Sequence, residues 1–413
     1  MKNGIKNVAW NAVGSTVNAF NSLLFAIVAT RINGVDQAGV FSYAFANACI
    51  FYVIGSYIVR AFQVTDISGE FSDSDYIYNR FITCFMMILA LLAFIIIKCY
   101  DFYKSAIVFT LGLFKCFEAF SEVLYGIVQK NDQLYKVGIS LFIKATTGVI
   151  AFVFIDFFTK NLLLSCVSIG IVYLLLILIF DIPAYRCCQK SISSFSMKRN
   201  LNLLKKGFST FIITILGIYL INSPRYAIDD LQSNSVQTVY GIIILPATFM
   251  CLLGQYIIQP CLTSISENIR QKNYIMLKKI ITRIILLMCV IGSGVFVLAY
   301  FLEEPVLSWI YNIDLKNYKI DMLIIILGSV LYGLETVLSY VLISFRKTTV
   351  QAFIFMGVSV FAALISYAMV LNMGIRGASL TYLFVMLIIV TAFILCLLIF
   401  MRRYRLSWNM QGE

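Results

Sequence analysis

Long apolar stretches separated by short polar segments recur along the whole chain. Each stretch is long enough to cross about 30 Å of hydrocarbon as a helix, which takes about 20 residues. The pattern predicts an all-α membrane protein with twelve transmembrane helices, near residues 8–30, 39–60, 78–98, 105–128, 137–156, 161–181, 206–224, 240–262, 282–302, 321–343, 349–371 and 377–400.

The first of these spans is polar on one side. Asn11, Ser15, Asn18 and Ser22 are spaced four, three and four residues apart, which places them on one face of a helix. Two interpretations are open here. The face either packs against other helices through small polar residues or lines an aqueous cavity.

The fourth span carries a charged stripe formed by Lys115, Glu118 and Glu122. A charge at the centre of a transmembrane helix costs about 2.5–3.5 kcal/mol, so the stripe is expected to face protein or water rather than lipid. An internal ion pair of Lys115 with one glutamate is the structural alternative to a functional site. One lysine cannot neutralise two carboxylates four residues apart, which favours a functional role.

Two further charges lie inside predicted spans. Lys144 is in the inner half of the fifth span, from where its long side chain either snorkels to the interface or serves a buried site. Glu335 lies deeper in the tenth span. Because an ionised carboxylate is costly in apolar surroundings, ion binding can switch such groups. The candidates for coupling to H+ or Na+ are Glu118, Glu122 and Glu335.

The composition excludes most soluble and enzymatic classes. Of the 413 residues, 61% are hydrophobic and 13% are charged, against about 45–50% apolar residues in a soluble domain. The chain contains no histidine, and its 11 cysteines show no metal-site spacing. We therefore expect no cofactor, no metal site and no histidine-based catalysis.

The net charge of +12 is explained by membrane topology. With both termini on the same side, 22 of the 32 lysines and arginines lie on that side, 8 lie on the other, and 2 lie inside spans. Because basic residues accumulate in cytoplasmic loops, both termini of this multi-pass protein are predicted to face the cytoplasm. The basic charge therefore does not indicate a nucleic-acid partner.

Repeated segments indicate two similar halves of six spans. The segment that begins at Gly55 in the second span is echoed at Gly254 in the eighth, and Glu118-Ala119 in the fourth span is echoed by Glu335-Thr336 in the tenth. Parallel repeats of this kind are known in transporters. The predicted organisation is an N-terminal lobe (1–181), a basic cytoplasmic linker (182–205), a C-terminal lobe (206–400) and a cytoplasmic tail (401–413).

Four segments also carry a resemblance to a known family. They are Gly55–Ile67 with Tyr76 and Arg80 downstream, Asn222–Asp229 followed by Tyr240 and Gln259-Pro260, Glu122 with Gly126 and Gln129, and Gly374–Ala378. These segments resemble those of bacterial repeat-unit flippases for O-antigen and capsular polysaccharide, the Wzx type. The similarity runs from the first span to the twelfth, although the first half has no counterpart of Gly374–Ala378.

The resemblance implies two six-helix lobes around a central cavity, in the superfamily of multidrug, oligosaccharidyl-lipid and polysaccharide exporters. It implies a non-enzymatic function: translocation of an undecaprenyl-pyrophosphate-linked oligosaccharide across the bacterial cytoplasmic (inner) membrane by alternating access. Membrane lipid, and the polymerase and chain-length regulator of the same pathway, would be its partners.

Positive side chains near the path would then bind the pyrophosphate, since arginine and lysine both suit phosphate. The residues expected to contact substrate are Lys115, Arg60, Arg31, Arg225, Lys144, Asn11 and Asn18, the two asparagines through the sugar. Two alternatives stay open. A multidrug antiporter of the same superfamily would prefer an acidic, aromatic cavity without Lys115. A membrane polysaccharide polymerase, an enzyme, would need a long periplasmic loop with paired arginines, which the sequence lacks.

Overall fold

The computed structural model describes residues 2–57, 60–65, 71–188, 194–258, 261–271, 273–345 and 347–409. Within these ranges the secondary structure is helical and contains no strand, which confirms the all-α prediction. The chain divides into two compact units, Met1–Ile215 and Leu216–Glu413, called here the first and the second unit.

The first unit begins with a long helix and contains the predicted first six spans. Its helices are α1 (Lys2–Asn33), α2 (Val35–Gly55), α3 (Arg60–Thr65), α4 (Asp73–Lys98), α5 (Phe102–Lys130), α6 (Leu134–Thr159), α7 (Leu162–Leu176), a π-helical turn (Ile177–Asp181), α8 (Ile182–Arg186) and α9 (Met197–Leu231), which continues into the second unit.

The second unit contains the rest of α9 and seven further helices. These are α10 (Asn234–Ile243), α11 (Leu245–Ile258), α12 (Leu262–Arg270), α13 (Tyr274–Tyr311), α14 (Lys319–Ser344), preceded by a short 3₁₀ turn (Lys316–Tyr318), α15 (Thr348–Met373) and α16 (Ile375–Asn409).

In the described part of the chain, 11 helical segments are long and apolar enough to cross a membrane. The predicted fourth span, α5, is not among them although it has 29 residues. Its charged stripe interrupts the apolar pattern. Helices α2, α3, α4, α6 and α7 of the same unit all pack against α5, so its charges face protein rather than lipid.

The range predicted as a linker, 182–205, contains α8 and the first residues of α9, and residues 189–193 lie outside the described part. The start of α9 docks on the first unit. Leu203 is fully buried, and the Arg199 Nε atom lies 3.0 Å from an Asp75 carboxylate oxygen at the start of α4.

The two repeated segments of the sequence, at Gly55 and Gly254 and at Ala119 and Thr336, form the same type of helix contact in each unit. A Cβ atom added at Gly55 would lie 3.2 Å from the Cβ atom of Ala119, and one added at Gly254 would lie 3.4 Å from the Cβ atom of Thr336. Glycine in α2 and α11 therefore lets these helices approach α5 and α14 closely. In each unit, one repeated segment supplies the glycine of this contact and the other supplies the residue that packs against it.

Helices α1 and α6 cross at a second close contact, made by Gly14 and Gly138. A Cβ atom at Gly138 would lie 2.2 Å from the Trp10 carbonyl oxygen, which no rotamer change relieves. We expect Gly138→Ala to lower the free energy of unfolding by about 1–3 kcal/mol, as overpacking does.

Thermal unfolding in detergent checks this prediction, with Gly170→Ala in α7 as the matched control, because nothing lies within 4 Å of a Cβ atom there. Equal unfolding temperatures for the two variants would contradict the close contact.

Candidate functional site

The charged stripe of α5 has an aromatic environment. The Lys115 Nζ atom lies 2.6 Å from a Glu118 carboxylate oxygen, and both side chains are mostly buried, 13% and 17% exposed. Three rings surround the ammonium group, with centroids at 5.0, 5.1 and 5.6 Å, from Phe45, Phe114 and Tyr52 respectively. Cation–π attraction therefore adds to the ion pair in holding this charge within the unit.

The short helix α3 brings a second cation to the stripe. The Arg60 Nε atom lies 3.5 Å from a Glu122 carboxylate oxygen. Gln63 fixes α3 in place, because its amide donates to the Val123 carbonyl oxygen at 3.2 Å. A Cβ atom at Gly126 would lie 2.1 Å from the Gln63 side-chain oxygen. The glycine thus makes room for the residue that positions Arg60.

Arg80, near the start of α4, is a third cation. Its side chain is 4% exposed and donates to the carbonyl oxygen of Gly55, the last residue of α2. It also interacts electrostatically with Glu122 and with Tyr52. The only signal in the sequence was its place downstream of the Gly55–Ile67 segment.

Arg60, Arg80, Lys115, Glu118 and Glu122 are named here the charged cluster. Tyr52 interacts electrostatically with both arginines and both glutamates, so these groups lie close together. Three cations and two carboxylates leave one net positive charge. The Arg60 and Glu122 side chains are 26% and 22% exposed, so the cluster is not fully enclosed.

Lys144 lies beside the charged cluster and does not snorkel to the interface. Its side chain is 1% exposed and pairs with the equally buried Asp181 carboxylate. The Nζ atom also donates to the Ser121 hydroxyl at 2.6 Å and to the Tyr125 hydroxyl at 3.1 Å. The sequence identified Lys144 but not its partner, because Asp181 lies at the end of the predicted sixth span, where a polar residue is expected.

The polar face of α1 is partly exposed. Asn18 accepts a hydrogen bond from the Tyr173 hydroxyl at 3.3 Å, and this tyrosine ring lies 5.7 Å from the Lys144 Nζ atom. Asn11 is half-buried, and Arg31 is exposed near the C-terminal end of the helix. The structure thus links Asn18 to the surroundings of Lys144 and places Arg31 at the helix end.

Glu335 lies in the interior of the second unit. Its side chain is 7% exposed, and Thr336 follows it in α14. Electrostatic neighbours are Tyr332, Tyr340 and Cys251. No lysine or arginine forms an ion pair with Glu335 within the described ranges, so its surroundings differ from those of the α5 glutamates.

Two segments of the family resemblance also lie in the second unit. Arg225 is half-buried in α9, directly after Pro224 within the helix.

Arg376 pairs with the buried Asp321 carboxylate, with its Nε atom at 3.2 Å. A Cβ atom at Gly377 would lie 2.0 Å from the Met369 carbonyl oxygen, so this glycine allows α15 and α16 to meet closely. Residues 58–59, 66–67 and Gln259-Pro260 of the resembling segments lie outside the described part.

No protein-family model matches the sequence. Among curated proteins, the chain is 24% identical over 359 residues to the capsular polysaccharide biosynthesis protein CapF of Staphylococcus aureus, covering 84% of this chain and 85% of that one.

Solved structures match along nearly the whole chain. The lipid II flippase MurJ, in an inward closed conformation, aligns with a TM-score of 0.71 and 14% identity, covering 94% of this chain and 87% of that one. An inward-facing multidrug resistance MATE family transporter of the MOP superfamily aligns with a TM-score of 0.67 and 11% identity, covering 97% and 99%. The chain therefore shares its fold with these twelve-helix proteins.

Proposed function

We propose that this chain is a flippase for undecaprenyl-pyrophosphate-linked oligosaccharide repeat units. It would move them by alternating access from the cytoplasmic to the outer leaflet of the bacterial inner membrane, for assembly of O-antigen or capsule. The observation that carries the proposal is the charged cluster, with its excess of one positive charge inside a unit of membrane-spanning helices. Hydrocarbon offers no partner to a diphosphate, so such a substrate requires a polar path of this kind.

Lys115 and Arg60 are the proposed contacts of the pyrophosphate. Arginine binds phosphate as a bidentate fork and lysine binds it as a point charge. In the structure, Glu118 and Glu122 take these positions on the two cations. Phosphate oxygens of an incoming diphosphate would replace the carboxylate oxygens as partners of Lys115 and Arg60. When the diphosphate is released, Glu118 and Glu122 would pair with these two cations again.

The remaining predicted contacts have secondary roles in this proposal. Arg31 and Arg225 would bind the pyrophosphate after it leaves the charged cluster, nearer the outer leaflet. Asn11 and Asn18, which offer neutral donors and acceptors, would meet the hydroxyl groups of the sugar. Both termini would face the cytoplasm, where the substrate is made.

Two similar proteins support the proposal. The relative in Staphylococcus aureus is a capsular polysaccharide biosynthesis protein, and one structure of the same fold is a lipid II flippase. The resemblance of the Asn222–Asp229 segment to Wzx-type flippases points in the same direction. The polymerase and chain-length regulator of the same pathway would act on the product.

A second candidate is a multidrug antiporter, and Glu335 is the observation that favours it. A buried carboxylate surrounded by tyrosines, without a paired lysine or arginine within the described ranges, suits an organic cation or a coupling ion. The net positive charge around Lys115 would repel such a cation. We therefore assign Glu335 to ion coupling and keep cation export as the alternative.

If Glu335 couples transport to protons, Glu335→Gln should remove the response to a proton gradient, because an amide cannot exchange a proton at this site. In proteoliposomes, an imposed proton gradient should accelerate transport by the wild type. The variant should transport at the same rate with and without the gradient. Glu304→Gln in α13 of the same unit is the matched control. An unchanged response in Glu335→Gln would exclude coupling through this residue.

A deletion strain tests the proposed function. We expect loss of surface polysaccharide together with accumulation of the undecaprenyl-linked repeat unit on the cytoplasmic face of the membrane. Single, unpolymerised repeat units accumulating on the outer face would indicate that the chain is a polymerase instead. Normal polysaccharide with increased sensitivity to organic cations would indicate drug export.

A further inference from the structure

Tyr52, in the last turn of α2, lies in the middle of the charged cluster without belonging to its ion pairs. Its ring centroid lies 5.6 Å from the Lys115 Nζ atom. The hydroxyl interacts electrostatically with both arginines and both glutamates of the cluster. This one side chain is therefore a neighbour of all five charges.

Helix packing holds the Tyr52 ring at this position. Phe45 precedes it by seven residues, which is two helical turns, so both rings lie on one face of α2 and both approach the same ammonium group. The close contact of Gly55 with Ala119 brings the end of α2 against α5. The ring is thus placed by its backbone and by the neighbouring helix, and its hydroxyl is not needed for that.

The charged cluster also offers hydrogen-bond donors that have no acceptor in the described part of the chain. The Arg60 Nη1 atom is buried and has no partner there, while the Nε atom of the same group lies 3.5 Å from Glu122. The Tyr52 hydroxyl forms no hydrogen bond with a described residue either. Because buried polar groups are normally paired, the Arg60 donor requires an acceptor, and the tyrosine hydroxyl is free to share it.

The spacing of the ion pairs suits a ligand with two phosphoryl groups. Glu118 pairs with Lys115, and Glu122 pairs with Arg60. The two glutamates are four residues apart, which is about 6 Å along the axis of α5. One phosphoryl group can replace one carboxylate, whereas a diphosphate can replace both. Tyr52, as a neighbour of both glutamates, then lies beside the bridging ligand.

We infer that Tyr52 is a substrate-binding residue whose hydroxyl donates a hydrogen bond to a diphosphate lying between Lys115 and Arg60, and that it selects a diphosphate over a monophosphate. The inference rests on the proposed function. A tyrosine hydroxyl donates to an anionic oxygen without adding charge to the site. A site with such a donor discriminates against a ligand that leaves it unpaired.

Tyr52→Phe isolates the contribution of the hydroxyl, because it keeps the ring over Lys115. A hydrogen bond to a charged group corresponds to a change of about 10- to 150-fold in a dissociation constant. The variant should bind undecaprenyl pyrophosphate more weakly by about this factor. Binding of undecaprenyl phosphate, which occupies one cation only, should change little, so the preference for the diphosphate falls.

The test measures both dissociation constants on the full chain in lipid nanodiscs, with undecaprenyl pyrophosphate and undecaprenyl phosphate as the two probes. The wild type should prefer the diphosphate, and Tyr52→Phe should lose most of this preference. Tyr57→Phe is the matched control and should keep it. The Tyr57 ring stacks on Phe211 with centroids 4.5 Å apart, and no charged group is among its electrostatic neighbours.

A preference of Tyr52→Phe equal to that of the wild type would overturn the inference. An equal loss of affinity for both probes would overturn it as well, because a purely structural role of the side chain weakens both complexes alike. A wild type that binds both probes equally tightly would also contradict the selectivity. Absence of binding of either probe by the wild type would instead contradict the proposed function itself.

Discussion

Replacing Lys115 by alanine should lower the rate of lipid-linked oligosaccharide transfer by about 10- to 150-fold. A hydrogen bond to a charged group contributes about 1.5–3 kcal/mol, and each 1.4 kcal/mol is a factor of ten. The variant also leaves Glu118 without its partner at 2.6 Å, and the net charge of the charged cluster falls from one positive charge to zero. Surface polysaccharide in a deletion strain complemented at low expression measures the effect.

Two further variants make this prediction specific. Lys115→Arg keeps the charge and should retain part of the activity. Lys130→Ala removes a lysine from the end of the same helix, where it lies over the Tyr76 ring at 5.4 Å, and should behave as the wild type. Full surface polysaccharide in Lys115→Ala, with no advantage of Lys115→Arg, would show that Lys115 is not an anion site.

The largest effect on stability is expected at Lys144. Lys144→Met leaves the Asp181 carboxylate buried without its counter-ion, and breaking such a pair from one side costs about 3–5 kcal/mol. The double variant Lys144→Met with Asp181→Asn removes both charges and should regain most of the loss. Thermal unfolding followed by labelling of buried cysteines, such as the fully buried Cys166, measures both variants.

The comparison between single and double variant decides the cause. If the double variant unfolds at the same temperature as Lys144→Met, lost packing rather than an unpaired charge explains the effect. Restored stability in the double variant would show that the unpaired Asp181 carboxylate is the cause.

The apolar pattern of the sequence predicts the fold well because most membrane-spanning segments are long runs of apolar residues. Helix α5 shows why hydropathy alone is insufficient. Its charges remove it from the set of apolar spans, yet the helices packed around it shield those charges. Helix ends are predicted less well, since α9 and α13 extend past the apolar stretch at Met197 and Tyr274.

The part of the site that lies on one helix follows from sequence spacing. Lys115 and Glu118 are three residues apart, so helical geometry alone brings them together. Arg60 meets Glu122 only because α3 docks through Gln63 on Gly126, which no local pattern reveals.

The contacts between distant spans were not predictable in the same way. Asp181 lies 37 residues from Lys144, and the pair depends on how the π-helical turn rotates the end of the sixth span. The distribution of lysines and arginines places Arg80 on the cytoplasmic side of the membrane. In the structure its side chain is buried and donates a hydrogen bond to the last residue of α2.

Transbilayer movement in liposomes is the most direct measurement of the central claim. Purified protein is reconstituted with a fluorescent undecaprenyl-pyrophosphate-linked oligosaccharide placed in one leaflet, and its arrival in the other leaflet is followed by quenching from outside. The account predicts movement well above that of protein-free liposomes, and strongly reduced movement with Lys115→Ala. Movement no faster than in protein-free liposomes, with correctly folded protein present, would contradict the account.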